Sequence, residues 1–151
     1  KQDVGDLIAQ RLPRTVGIAL AAHAISTLVG VALGIYIANR QYSLADNAAA
    51  TFAFIATSIP RFSLALIIVY ILAFQLGQEH VSAMFSPEFR YAPWSIEKAI
   101  DLIRHVWPII FIAGFSGVAR NMRVMRGNLL DVLNEQYVTT ARSKGLTEGK
   151  V

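Results

Sequence analysis

Residues 15–39 run for 25 positions without an Asp, Glu, Lys or Arg. As an α-helix such a stretch rises about 37 Å at 1.5 Å per residue, enough to cross a hydrocarbon core of about 30 Å. Inside a bilayer no water satisfies a free backbone N–H or C=O, so a crossing segment of this kind has to be helical. Composition points the same way. Of 151 residues, 54% are hydrophobic and 16% charged, with a mean hydropathy of +0.46; soluble domains carry about 25% charged residues. The expected fold class is all-α, a polytopic membrane helical bundle.

Gly17, Ala21, Ala24, Gly30 and Gly34 are small residues within this run, and Gly30-x-x-x-Gly34 is the spacing that lets two helices approach closely. The expectation is a packed bundle helix rather than one that faces only lipid. A second apolar run, residues 47–77, is too long for one straight span and is interrupted by Pro60-Arg61. Pro60 lacks a backbone donor and predicts a kink, with the span at about 55–77. The third run, residues 105–119, lies between Arg104 and Arg120. Both can snorkel, and Met122, Val124 and Met125 extend the apolar character, so one helix is expected at about 103–127.

The distribution of charge sets the expected orientation. Residues 120–151 hold six Lys/Arg and three Asp/Glu, whereas residues 75–104 hold three and four. The positive-inside rule counts basic residues and puts the C-terminal stretch in the cytoplasm. Residues 1–14 and 75–104 are then outside and residues 40–46 inside. Arg40 agrees with this, while Arg11 and Arg14 run against it. In the outer loop Ser95 can cap a short surface helix with Ile96, Ala99, Ile100 and Ile103 along one face. Trp94 and Trp107 suit a membrane interface. The first residue is Lys1 and no signal-peptide pattern opens the chain, so the start reads as internal to a longer protein.

Residues for covalent or proton chemistry are scarce. Cys is absent, which excludes disulfides and thiolate sites. None of the expected spans contains Asp or Glu; His23 is isolated and His105 lies at the edge of the third. Ser26, Ser58, Ser63 and Ser116 have no nearby base in sequence. No catalytic residue, metal site or cofactor is expected, and the chain is read as not an enzyme. Residues 145–150 approach a phosphate-binding loop, but that pattern needs four residues between its glycines and Ser or Thr after the Lys. Here there are three, followed by Val151. Arg61 is the one charge deep in an apolar stretch, at a typical insertion cost of about 2.5–3.5 kcal/mol. Pro60 and Arg61 are therefore candidates to line a water-filled translocation path; the alternatives are that Arg61 pairs with carbonyls at the kink, or lies near an interface because the span is shorter than its apolar length.

After the third span, Arg120, Arg123 and Arg126 step by three along one broad helix face, as expected of an anchor to anionic lipid at about 1 kcal/mol per residue. Asn128 can cap a new helix, with Leu129, Leu130, Val132, Leu133, Tyr137 and Ala141 as its apolar stripe. Gly145 falls where a helix ends in a left-handed residue, Leu146 offers the accompanying apolar contact, and Thr147 can cap a further short helix. The expected arrangement is helix, glycine, helix.

"YVTTARSKGL", residues 137–146, resembles the cytoplasmic loop signature of ABC importer permeases. That family's pattern is Glu-Ala-Ala, three residues, then Gly; Thr139, Thr140 and Ala141 fall on the first three places and Gly145 on the last. Peptide-type permeases commonly read Tyr-Val-x-Thr-Ala-Arg-x-Lys-Gly-Leu, which this chain matches closely. Residues 128–131, "NEQYV" at residues 134–138, "RLPRT" at residues 11–15, and "SIP" at residues 58–60 followed by Phe62 are also similar to that subfamily. Arg61 departs from it.

The resemblance implies part of a type I ABC importer transmembrane domain spread over residues 1–151: spans two to four of six, plus most of a cytoplasmic coupling loop at residues 128–151. It implies a permease subunit of a binding-protein-dependent importer of dipeptides or oligopeptides, multi-pass in the bacterial inner membrane. The implied partners are a homologous second permease, two cytoplasmic ATPase subunits, a periplasmic solute-binding protein and membrane lipid, but not nucleic acid. Tyr137, Thr139, Thr140, Ala141 and Gly145 carry over as the ATPase contact, and Arg142 and Lys144 as cations available to acids on that subunit. The alternative is a membrane-anchored module whose basic tail recognises anionic lipid or nucleic acid. A tail acting by charge alone tolerates shuffling; a docking loop does not.

Overall fold

The computed structural model describes residues 3–78, 81 and 83–147. Five α-helices account for most of them: α1 (Val4–Ala38), α2 (Leu44–Ser58), α3 (Arg61–Tyr70), α4 (Ile96–Leu133) and α5 (Gln136–Ser143). No strand occurs among the described residues. Two of the helices, α1 and α4, are long and apolar enough to cross a membrane, and α2 with α3 make a third candidate if that broken pair is one span. The chain is an all-α membrane protein.

The helix α1 begins at Val4, well before the uncharged run, and passes through Pro13. The physical reason is cooperativity. Once the apolar run is helical, the preceding Leu, Ile, Ala, Gln and Arg residues, all adequate helix formers, each add a hydrogen bond without a new nucleation step. The same holds for α4. Ser95 caps it as expected, its Oγ accepting the Lys98 N–H at 3.2 Å. The helix does not stop after a short surface segment, however; it runs through Pro108 to Leu133. Asn128, expected as a cap, lies inside it, because the backbone is unbroken on both sides of Gly127.

At Pro60 the expected kink is a full break. Pro60 adopts an extended conformation (φ −61°, ψ 136°) ahead of α3. It lacks a donor, and it disfavours helical geometry at Ile59. The apolar stretch is thus divided into α2, which starts at Leu44, and α3, which ends in a π-turn over Ile71–Gln75. Thr147 is not in a helix, and the segment it was expected to cap lies outside the described residues.

The chain forms two compact units, Lys1–Ile25 with Ser58–Ser116, and Ser26–Thr57 with Gly117–Val151. In the second unit the contact between α1 and α4 is built on glycine. A Cβ placed on Gly30 would lie 2.7 Å from the Asn121 Cβ, and one on Gly34 would lie 2.6 Å from the Met125 Cβ. From the other side, a Cβ on Gly117 would meet the Ser26 Oγ at 3.0 Å. The partners advance together along both helices (26 with 117, 30 with 121, 34 with 125), so α1 and α4 pack in parallel here. Asn121 Nδ2 donates to Thr27 Oγ1 at 3.2 Å within the same contact, and Met122 is buried against it. Such small-residue seams replace the hydrophobic driving force that lipid removes.

In the first unit the buried residues include Ala22, Leu72, Lys98, Asp101 and Val106. Lys98 Nζ donates to the Ala92 carbonyl at 2.5 Å and lies over the Phe85 and Trp94 rings, 5.0 and 5.4 Å from their centroids. These contacts hold the segment before α4 against its first turn.

Gly30→Val and Gly34→Val are each expected to lower stability by about 1–3 kcal/mol, the usual range for overpacking. Gly17→Ala, where a Cβ would meet nothing within 4 Å, serves as control. Thermal unfolding in detergent should separate the first two from the third.

Candidate functional site

The segment with the most specific sequence signature is α5 and the residues that close it. The helix is short and two-faced. Val138 is 2% exposed and Ala141, one turn on, is half-buried, so these two form the inner face. Tyr137 is 62% exposed, and Thr139, Thr140, Arg142, Lys144 and Gly145 are exposed as well. The hydroxyl of Thr140 folds back, donating to the Gln136 carbonyl at 2.8 Å, and that of Ser143 donates to the Thr139 carbonyl at 2.9 Å. The outer face of α5 is therefore less polar than its composition, since those donors are already used within the helix.

Gly145 has φ +79°, the left-handed conformation its position predicted. The closing pattern is complete: the Gly145 N–H donates to the Arg142 carbonyl at 2.9 Å, and the Leu146 N–H to the Ala141 carbonyl at 3.3 Å. These are the two bonds of a Schellman end, which fixes the direction in which the chain leaves α5.

The junction with α4 is equally constrained. Between Leu133 and Gln136 the Asn134 N–H donates to the Leu130 and Asp131 carbonyls (3.3 and 3.2 Å), and the Glu135 N–H donates to Val132 (3.1 Å). The N–H groups of Val138 and Thr139 in turn donate to the Glu135 carbonyl at 3.1 and 3.2 Å. Asn134 Nδ2 adds a bond to Leu130 at 2.9 Å. No glycine interrupts this connection.

Of the three arginines expected to form a lipid-anchoring face, Arg120 and Arg123 are exposed. Arg126 is not: it is turned onto Asp46 in the first turn of α2. Arg126 Nε donates to Asp46 Oδ1 and Nη2 to Oδ2, both at 2.6 Å, with the side chains 30% and 6% exposed. Asp46 Oδ2 also accepts the Tyr42 N–H at 3.1 Å, and the Asp46 N–H donates to Ser43 Oγ at 3.3 Å. Ser43 thus caps α2 as in a capping box, but the Asp46 carboxylate reaches back one residue further, to Tyr42, and is shared with another helix. Tyr42 has φ 62°, a strained value for a residue with a side chain, and the Asp46 bond holds it there. The paired hydrogen bonds from Arg126 hold the Asp46 carboxyl below the usual carboxylate range; burial opposes this and the Tyr42 N–H adds to it.

Pro60 and Arg61, the candidates for a translocation path, belong to the other unit. Both are exposed, with Arg61 the first residue of α3. A cation there opposes the helix dipole. In the same unit Asp101, Arg104, His105, Ser86 and Gln78 line a cavity of about 270 Å³. The Ser86 hydroxyl donates to Asp101 Oδ1 at 2.6 Å and its N–H to Oδ2 at 2.8 Å. His105 Nδ1 lies 2.8 Å from the Asp101 carbonyl oxygen. Serine, histidine and aspartate thus meet in an order unlike that of a nucleophilic triad, because the hydroxyl donates to the carboxylate rather than to the imidazole.

Residues 30–151 match the sequence profile of the binding-protein-dependent transport system inner membrane component. The chain belongs to that family. It is similar to the oligopeptide transport system permease protein AppB of Bacillus subtilis (strain 168), with 31% identity over 148 residues, 98% of this chain and 45% of the relative. A putative peptide transport system permease protein of Brucella abortus (strain 2308) is 32% identical over 151 residues, 99% of this chain and 45% of that protein. A probable peptide ABC transporter permease protein of Sinorhizobium fredii (strain NBRC 101917 / NGR234) is 34% identical over 140 residues, 92% of this chain and 42% of the relative. The chain spans about half the length of these permeases.

Sequence reasoning assigned the permease signature to α5 but missed both Val138 and the Asp46–Arg126 pair. The capping-box spacing at Ser43 and Asp46 was the available signal for a helix start; nothing local connected it to Arg126, 80 residues away.

Asp46→Asn is expected to destabilise the protein by about 2–3 kcal/mol, less than breaking a fully buried pair because Arg126 is partly solvated. The folded-state carboxyl is shifted down, so its contribution is complete above the unfolded-state value of about 4 and is lost as the pH falls through the folded one. The gap in melting temperature between wild type and variant, followed in detergent, should stay constant from about pH 8 to about pH 5 and close only below about pH 4.

Proposed function

We propose that the chain is part of the membrane-spanning permease subunit of an ATP-driven importer, and that α5 with its Gly145 closure docks a cytoplasmic ATPase subunit. The observation that carries this reading is the form of the family-matched segment. A short helix buries Val138 and half-buries Ala141 against its own chain, turns Tyr137, Thr139, Thr140, Arg142 and Lys144 outward, and is closed by a Schellman turn. Such a helix is supported from behind and presents a defined outer face, as a docking element requires.

The parallel packing of α1 and α4 supports the proposed topology. Two spans that run in the same direction need the chain between them to return, which favours a single crossing by the broken α2–α3 stretch. Spans at about 15–39, 55–77 and 103–127 follow, with residues 128–151 on the cytoplasmic side of a bacterial inner membrane, as the basic residues there favour. The complete transporter contains a second, homologous permease, two ATPase subunits and a periplasmic solute-binding protein. Its solutes are peptides or chemically related molecules, the class named for the relatives. Pro60 and Arg61 line its path. Closure of the ATPase subunits then moves α5 and, with it, the helices that form the path, as a rigid-body transition of the alternating-access kind. The family match gives a basic lipid- or nucleic-acid-binding tail no support.

In the full-length protein, Gly145→Val puts a branched side chain at a left-handed position, which costs on the order of 1 kcal/mol or more locally without altering charge. Because a Cβ there would meet nothing within 4 Å, the effect is confined to backbone direction. Loss of ATPase copurification and of peptide uptake, with membrane abundance retained, is the expected result. Full ATPase recovery with this variant overturns the docking assignment.

A further inference from the structure

We infer that the Asp46–Arg126 ion pair is the link through which displacement of α5 reaches α2, so that Asp46 and Arg126 are positioning residues for coupled transport. This inference rests on the permease reading above. The path is continuous and every step is a contact already described. The α5 helix is joined to α4 by a two-residue connection whose N–H groups are bonded to the carbonyls of the last turn of α4, with no glycine to act as a hinge. Motion of α5 is therefore passed to the cytoplasmic end of α4 rather than absorbed. Arg126 lies on that end, and its guanidinium holds both oxygens of Asp46.

The geometry is that of a coupling rather than a simple tether. A bidentate arginine–carboxylate pair fixes distance and orientation together, which a single ammonium–carboxylate contact does not. Asp46 is in turn fixed to its own helix, accepting the Tyr42 N–H and donating its own N–H to Ser43 Oγ. A force on the carboxylate thus acts on the first turn of α2 as a whole. In the second unit α1 has a seam of its own with α4 at Gly30 and Gly34, whereas the pair is a polar connection from α4 to α2. The helix α2 runs from this point to the break before Pro60 and Arg61, so the pair gives the ATPase side a mechanical hold on the segment that leads to the proposed path.

A structural brace and a coupling link predict different phenotypes, and Arg126→Lys separates them because it keeps the charge and removes the fork. The experiment uses the complete transporter, purified with its ATPase subunits and binding protein and reconstituted in liposomes, with ATP hydrolysis and peptide uptake measured on the same preparation. For Arg126→Lys the expected result is unchanged ATPase recovery, retained hydrolysis, and uptake per ATP hydrolysed reduced by at least about fivefold, the lower end of typical coupling between sites. The exchanged pair, Asp46→Arg with Arg126→Asp, should recover part of the lost ratio relative to either single change. Uptake per ATP that stays at the wild-type value overturns the inference, whether or not the yield of complex falls. So does failure of both Arg126→Lys and the exchanged pair to assemble, since the pair is then only a brace. Failure of the wild-type chain to bring down an ATPase is a different result and counts against the permease reading itself.

Discussion

A side chain at Gly30 or Gly34 would overlap α4, and the absence of one lets α1 and α4 run in contact and in parallel. In lipid this matters more than it would in water. Apolar surface gains nothing by leaving hydrocarbon for another apolar surface, so helices are held by close van der Waals packing and by the few polar bonds that such closeness permits. The Asn121–Thr27 bond and the burial of Met122 both occur along this seam. The register it sets also determines where Arg126 lies on α4, one position beyond the Gly34 contact at Met125.

Around the helix ends at Ser43 and Gly145 a different set of forces takes over. Backbone groups there can bond to water, so order has to come from local closure. The junction of α4 and α5, the Schellman turn at Gly145 and the Ser43 cap with the Tyr42–Asp46 bond each satisfy helix-terminal donors or acceptors within a few residues. The Asp46–Arg126 pair is the exception, a long-range bond between two helix segments that local rules position only separately. It converts two ordinary helix features, one on α4 and one at the start of α2, into one connected element.

Much of this was legible in the sequence. The uncharged run of residues 15–39 identified α1, the Gly30 and Gly34 spacing identified a packed face, Ser95 was read as a cap, and Gly145 was read as a left-handed helix end. These are local or strictly periodic signals, set by backbone sterics and by helix pitch. The extents of the helices were less legible. The helices α1 and α4 run beyond their apolar stretches because propagation needs no further nucleation, and Asn128 remains helical because a potential cap has no effect where the backbone does not break. At Pro60 the sequence announced a disturbance but not its size, since a kink and a break begin from the same missing donor.

The sequence by itself determined that the chain is helical and membrane-spanning, which segment carries the permease signature, and the handedness at Gly145, because hydropathy, pitch and φ restrictions act within a few residues. Only the tertiary structure decided which of three equally spaced arginines is drawn off the exposed face and bound to a carboxylate 80 residues away, and which face of α5 is turned inward. The reason is geometric. Arg120, Arg123 and Arg126 are alike in composition and spacing, and they differ only in what the packing of α4 against its neighbours brings within reach.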